Sequence, residues 1–152
     1  METIAEAKKE LRDNWEKGIN CQCCGQLVRL WKQLFHAGEA IWLIAFIQEY
    51  DKVGDEWLTW KHVANVRNIQ CGDYAKLKFW GLIEPCEYDD EGKKASGKWR
   101  PTAKARAFIR NEITIPKYVF TYDTRAVKFS EEELNIVSAL GKKFDYGELI
   151  NG

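Results

Sequence analysis

Residues 76–85 read KLKFWGLIEP. A basic, aromatic run ends at Gly81, and a short apolar stretch, Leu82-Ile83-Glu84, begins at once. Glycine commonly closes helices because it enters the left-handed region without a Cβ penalty. The spacing predicts a helix from about Asp73 to Trp80, capped by Gly81 and feeding a strand. Upstream, Thr59 is a candidate N-cap for a short helix from Trp60 to about Val66, with a turn over residues 68–72. Downstream, CEYDDEGKKASGK, residues 86–98, is polar and turn-rich. Trp99-Arg100-Pro101 returns as a strand, and Thr102 caps a further helix, AKARAFIRN.

Farther out, residues 1–17 read as a Glu-rich helix, and CQCCG, Cys21 to Gly25, as a tight turn. From Gln26 to Tyr50 the pattern is helical, with Leu27, Leu30, Trp31, Leu34 and Phe35 in one stripe. The pair Ala37-Gly38 divides or kinks it. KYVFTYDTRAVKF, Lys117 to Phe129, has two β-rich runs about Asp123-Thr124 and predicts a hairpin. Ser130 to Glu133, SEEE, fits a capping box opening the helix ELNIVSALG, which Gly141 ends.

The order helix, helix, turn, helix, strand, polar tip, strand, helix carries a resemblance. YAKLKFWGLIEP followed by GKWRPTAKARAFI resembles the ending shared by winged-helix regulators of the MarR and PadR type. Those combine a Leu-x-x-x-Gly-Leu-Ile-Glu run, a wing and a Leu-Thr-x-x-Gly helix start. Leu77 to Glu84 matches the first, and Pro101 to Ala105 the last, with Ala105 where glycine is usual. The likeness spans roughly residues 37–112, and the overall look also resembles small phage proteins. It implies an α+β fold, mostly α: a winged helix-turn-helix over 37–112. An N-terminal helical extension with the Cys-rich turn, 1–36, would precede it. A C-terminal hairpin and helix, 113–152, would pack on it. By function it implies a transcriptional regulator of duplex DNA that dimerises.

Composition sets the bounds. The 152 residues suit one domain or a domain with an appendage, and 45% hydrophobic content is enough for a core. Lys plus Arg is 23 and Asp plus Glu is 23, so net charge favours no partner. The longest apolar run, Ala40 to Ile47, is too short to span a bilayer. The charged N-terminus lacks the apolar core of a secretion signal. Five cysteines, three of them in CQCC, argue for a reducing cytoplasm rather than a disulfide framework.

Local charge is uneven. From Lys93 to Lys117 there are eight cations and one acid, Glu112. This is the footprint of a phosphate-binding face. The candidate nucleic-acid contacts are Asn68 and Tyr74 for base edges, and Lys76 and Lys78 on the second helix. Lys93, Lys94 and Lys98 would act from the wing, and Arg100, Lys104 and Arg106 on phosphates. The acidic EYDDE at 87–91 opposes this reading. So does the neutral net charge. Together with abundant tryptophan they favour the alternative, a protein-binding module such as a phage-style inhibitor or adaptor.

Cys21 and Cys24 form a C-x-x-C-G, half of a zinc knuckle, and are the candidate ligands for zinc. A second C-x-x-C is missing; the candidates to complete the site are Cys23, His36, His62, Cys71 and Cys86, none at a diagnostic spacing, or a dimer mate. There are only two histidines, His36 and His62, and no G-x-x-x-x-G-K-[ST], G-x-G-x-x-G or G-x-S-x-G motif. The chain reads as a non-enzyme.

Overall fold

The long helix expected over residues 26–50 begins only at Ala37. The computed structural model, which describes residues 3–54, 56–87, 92, 97–122 and 124–151, makes the upstream part strand instead. The expected N-terminal helical extension is thus helical only over α1, Ile4–Asn14. It continues as β1 (Ile19–Asn20), β2 (Leu27–Val28) and β3 (Trp31–Leu34). The apolar spacing of 27, 30, 31, 34 and 35 fits a helix stripe, but Val28 and Leu30 are buried while Arg29 and Trp31 are exposed, a period of two. CQCCG is the turn of the β1–β2 hairpin, closed by Cys21 N–H to the Gln26 carbonyl at 2.8 Å.

The next elements are α2 (Ala37–Val53), β4 (Leu58–Thr59) and α3 (Trp60–Arg67). A 3₁₀ helix, Tyr74–Trp80, follows, then β5 (Ile83–Pro85), β6 (Lys98–Pro101) and α4 (Ala103–Ile109). The chain ends with β7 (Ile115–Pro116), β8 (Tyr118–Tyr122), β9 (Arg125–Phe129), β10 (Glu133–Leu134), α5 (Ile136–Leu140) and α6 (Tyr146–Asn151). The fold is α+β with small antiparallel sheets, ordered β4-β6-β5, β3-β8-β9, β1-β2 and β10-β7.

Three local expectations hold, and two change. Thr59 accepts from His62 N–H, Thr102 accepts from Ala105 N–H, and Gly81 takes φ 71° behind the 3₁₀ helix. The helix expected over 73–80 is 3₁₀ rather than α. In that winding residues three apart lie in one column. Leu77 and Trp80 fall in such a column and are both buried, with half-buried Tyr74 above them. SEEE opens no helix. Ser130 Oγ bonds the Glu132 carbonyl, Glu133 joins β10, and the cap of α5 is Asn135, which accepts from Ser138 N–H at 2.8 Å.

α2 is apolar around most of its circumference, the mark of a helix packed on all sides. It is met by α3, α4, α5, α6, the 3₁₀ helix and β6. Trp42, Leu43, Ile44 and Phe46 are almost completely buried. Phe35, just before α2, lies edge-on to both Trp80 and Phe108 at 5.5 Å. Trp80 donates its Nε1–H to the Pro116 carbonyl at 2.8 Å. Val119, Ile136 and Leu140 complete the same core, so the first, middle and last thirds of the chain share it. No described helix is long and apolar enough to cross a membrane.

Candidate nucleic-acid interface

β6 lies in the middle of its sheet, flanked by β4 and β5. Strand alternation turns Trp99 and Pro101 inward and leaves Lys98 and Arg100 exposed on one side. α3 and the 3₁₀ helix lie between β4 and β5 in the chain. The sequence-predicted wing, residues 86–98, lies mostly outside the described residues, and with it Lys93 and Lys94.

The remaining candidates part company. Lys76 is turned inward. Its Nζ is 2.6 Å from Glu39 Oε1, with side-chain exposures of 11% and 5%. Glu39 also accepts from His36 N–H at 3.1 Å, so the carboxylate caps α2 and anchors the 3₁₀ helix at once. Arg106 grips Asp51 with two bonds of 3.1 and 2.7 Å. Lys104 Nζ donates to the Trp80 carbonyl at 2.8 Å, a favourable place for a cation at a helix C-terminus. Arg100 pairs with Glu84 through its Nε and lies 4.4 Å above the Trp57 ring. Lys78 and Lys98 are exposed, and no described acid pairs with either. Asn68 is exposed at the end of α3, with φ 54°. Asparagine tolerates that conformation better than most residues.

Tyr74 sits between aromatic rings. Its centroid is 5.2 Å from Trp42 and 6.4 Å from Trp60, and Trp99 meets it edge-on at 6.0 Å. Trp60 stays 39% exposed. A pocket of about 390 Å³ opens there between Trp60, Gln70, Cys71, Gly72 and Tyr74. Burial, and then the nearby charges of Glu39 and Asp73, push the Cys71 thiol up to about 11.

A second acid was not singled out by its sequence. Glu49 is 3% exposed on α2. Arg67 Nη1 reaches its Oε1 at 3.2 Å, Lys52 Nζ at 3.3 Å, and His62 Nε2 lies 3.5 Å from Oε2. Burial pushes this carboxyl up, but hydrogen bonds from Arg67 and Lys52 outweigh it and hold the group below its ordinary value. The one local clue was that Glu39 and Glu49, two of the three acids of α2, bracket its apolar run Ala40 to Ile47.

The Cys21 thiol is drawn below its ordinary value by the backbone N–H groups of Cys24 and Cys23. Among the described residues, no three His, Cys, Asp or Glu side chains gather as a metal-binding group. Cys21 and Cys24 therefore offer at most part of a tetrahedral zinc set. No family model, no curated protein and no solved structure matches this chain.

Proposed function

We propose that residues 37–112 form a winged helix-turn-helix unit that binds duplex DNA. The observation that supports it most is the sheet order β4-β6-β5, with α3 and the 3₁₀ helix inserted between β4 and β5. The order helix, 3₁₀ helix, strand, returning strand and helix agrees with the one the resemblance carries, and Lys98 and Arg100 are exposed on the returning strand. In this reading Lys78, Lys98 and Arg100 touch phosphates and Asn68 reaches toward a base edge. Arg100 exchanges its half-exposed Glu84 for phosphate, since surface pairs are worth only about 0–1 kcal/mol. Lys76, Lys104 and Arg106 serve the fold.

The test is fluorescence anisotropy with a labelled random duplex over a salt series. Binding should weaken as salt rises, and the double variant Lys78→Glu, Lys98→Glu should abolish it. Retention of full affinity by that variant would refute the assignment.

A second reading rests on the ion pairs themselves. Arg106, Arg100 and Lys76 are already matched to acids, and Trp60 is open beside the pocket. A winged helix that binds a protein through Trp60 needs no free cations. It predicts that Trp60→Ala, and not the lysine reversals, removes a partner.

A further inference from the structure

The β3-β8-β9 sheet has a face that the core does not use. Pairing sets Lys32, Phe120 and Lys128 side by side in one row across the three strands. Alternation along β8 places Tyr118 and Tyr122 on the same side as Phe120. The opposite side carries Val119 and Thr121, both buried. Tyr118, Phe120 and Tyr122 are half-buried and lie outside the hydrophobic core. By register this face carries Tyr118, Phe120 and Tyr122 with Lys32, Lys128 and Arg125, while Trp31 and Phe129 fall on the opposite side with Thr121 and Val119.

The cations sit against the rings. Lys32 Nζ is 4.0 Å from the Tyr118 centroid, and Lys128 Nζ is 5.8 Å from that of Phe120. Lys128 also reaches Glu16 Oε1 at 3.1 Å, while no described acid pairs with Lys32 or Arg125. Residues two apart on a strand are spaced by about 6.6 Å. Tyr122 packs against Trp15 at 5.6 Å, which leaves Tyr118 and Phe120, two rings flanked by long cationic side chains, to match what a single-stranded nucleic acid requires. Bases have π-faces for the rings, and phosphates lie within reach of the ammonium groups. An apolar or acidic partner would leave one half of this arrangement unused.

We propose that this face binds single-stranded DNA or RNA, with Phe120 and Tyr118 stacking on bases and Lys32, Lys128 and Arg125 meeting phosphates. The site is separate from the one assigned to duplex DNA and does not depend on it.

The test uses the full chain and a fluorescein-labelled oligothymidylate of about 12 nucleotides, within the usual footprint of single-strand binders. Binding should fall with salt. Phe120→Ala should weaken it about 5-fold or more, the scale of one lost base stack, and Lys32→Glu should weaken it and make its salt dependence shallower. Lys98→Glu should leave it unchanged. Should Phe120→Ala fail to fold, Phe120→Leu keeps the bulk and removes the stack, and Lys32→Glu changes only an exposed residue. No binding at low salt would overturn the proposal and leave the face to a protein. Binding that ignores both Lys32→Glu and the Phe120 variants, or that is lost with Lys98→Glu, would overturn it as well.

Discussion

Lys76→Met separates a residue of the fold from a residue of the interface. The sequence places Lys76 among the DNA contacts, and the structure places its ammonium 2.6 Å from a carboxylate that is itself only 5% exposed. Met keeps the aliphatic stem and deletes the charge. Glu39 would then be a buried carboxylate held, among the described residues, by the His36 N–H. Removing one partner of a buried pair typically costs about 3–5 kcal/mol. The retained cap bond and the slight exposure of Lys76 reduce this to about 2–3 kcal/mol. For a chain of this size that lowers the midpoint of thermal unfolding by about 4–12 °C. Circular dichroism at 222 nm and urea unfolding followed by tryptophan emission measure it. The double variant Glu39→Gln, Lys76→Met should lose less than the two single variants together, by about 1–3 kcal/mol, because neither partner is then left as a lone charge. A Lys76→Met protein within about 0.5 kcal/mol of the parent, but with weakened duplex binding, would refute the pair and return Lys76 to the interface.

Other consequences are open to test in the same protein. Glu49 has a folded value depressed below its ordinary 4.5, so its stabilisation is present above that value and is lost as pH falls through the folded one. Glu49→Gln should therefore lower stability near neutral pH and flatten the acid limb of a pH–stability curve; an unchanged limb would count against the Arg67 and Lys52 contacts. Cys71, held at about 11, should remain unalkylated by iodoacetamide long after Cys21 has reacted, as peptide mass spectrometry can follow. Trp80→Phe deletes the bond to the Pro116 carbonyl and should cost about 1–2 kcal/mol in urea unfolding. A neutral result would mean that bond is replaced by water.

What was legible in the sequence was local. Thr59, Thr102 and Gly81 announce helix ends because a cap is a contact between residues three or four apart. The hairpin about Asp123-Thr124 was legible for the same reason, as two β-rich runs joined by a short turn. β3 was not. Its residues satisfy a helical stripe, and the partner that makes them strand, Tyr118 to Thr121, lies some ninety positions away. The interface followed the same division. Residue types gave a basic stretch, but several of its described cations meet acids elsewhere in the chain. Arg106 meets Asp51 across 55 positions, and Arg100 meets Glu84 across 16. Periodicity carries no trace of such pairings.

Those pairings alter how a neutral protein can hold a polyanion. Lys76 is committed, since its pair is buried and breaking it costs far more than a phosphate contact returns. Arg100 is not, because its pair with Glu84 is nearly half exposed on both sides. Lys78 and Lys98 at the proposed duplex site, and Lys32 and Arg125 on the β3-β8-β9 sheet, are exposed with no described acid paired to them. Either face thus offers only two or three usable charges. With roughly 0.7–0.9 counterions released per phosphate contact, the logarithm of affinity should fall with the logarithm of salt at a slope of about −1.4 to −2.7. A much steeper slope would require the paired cations to abandon their acids, and with them the contacts that hold α2 to the 3₁₀ helix and to α4.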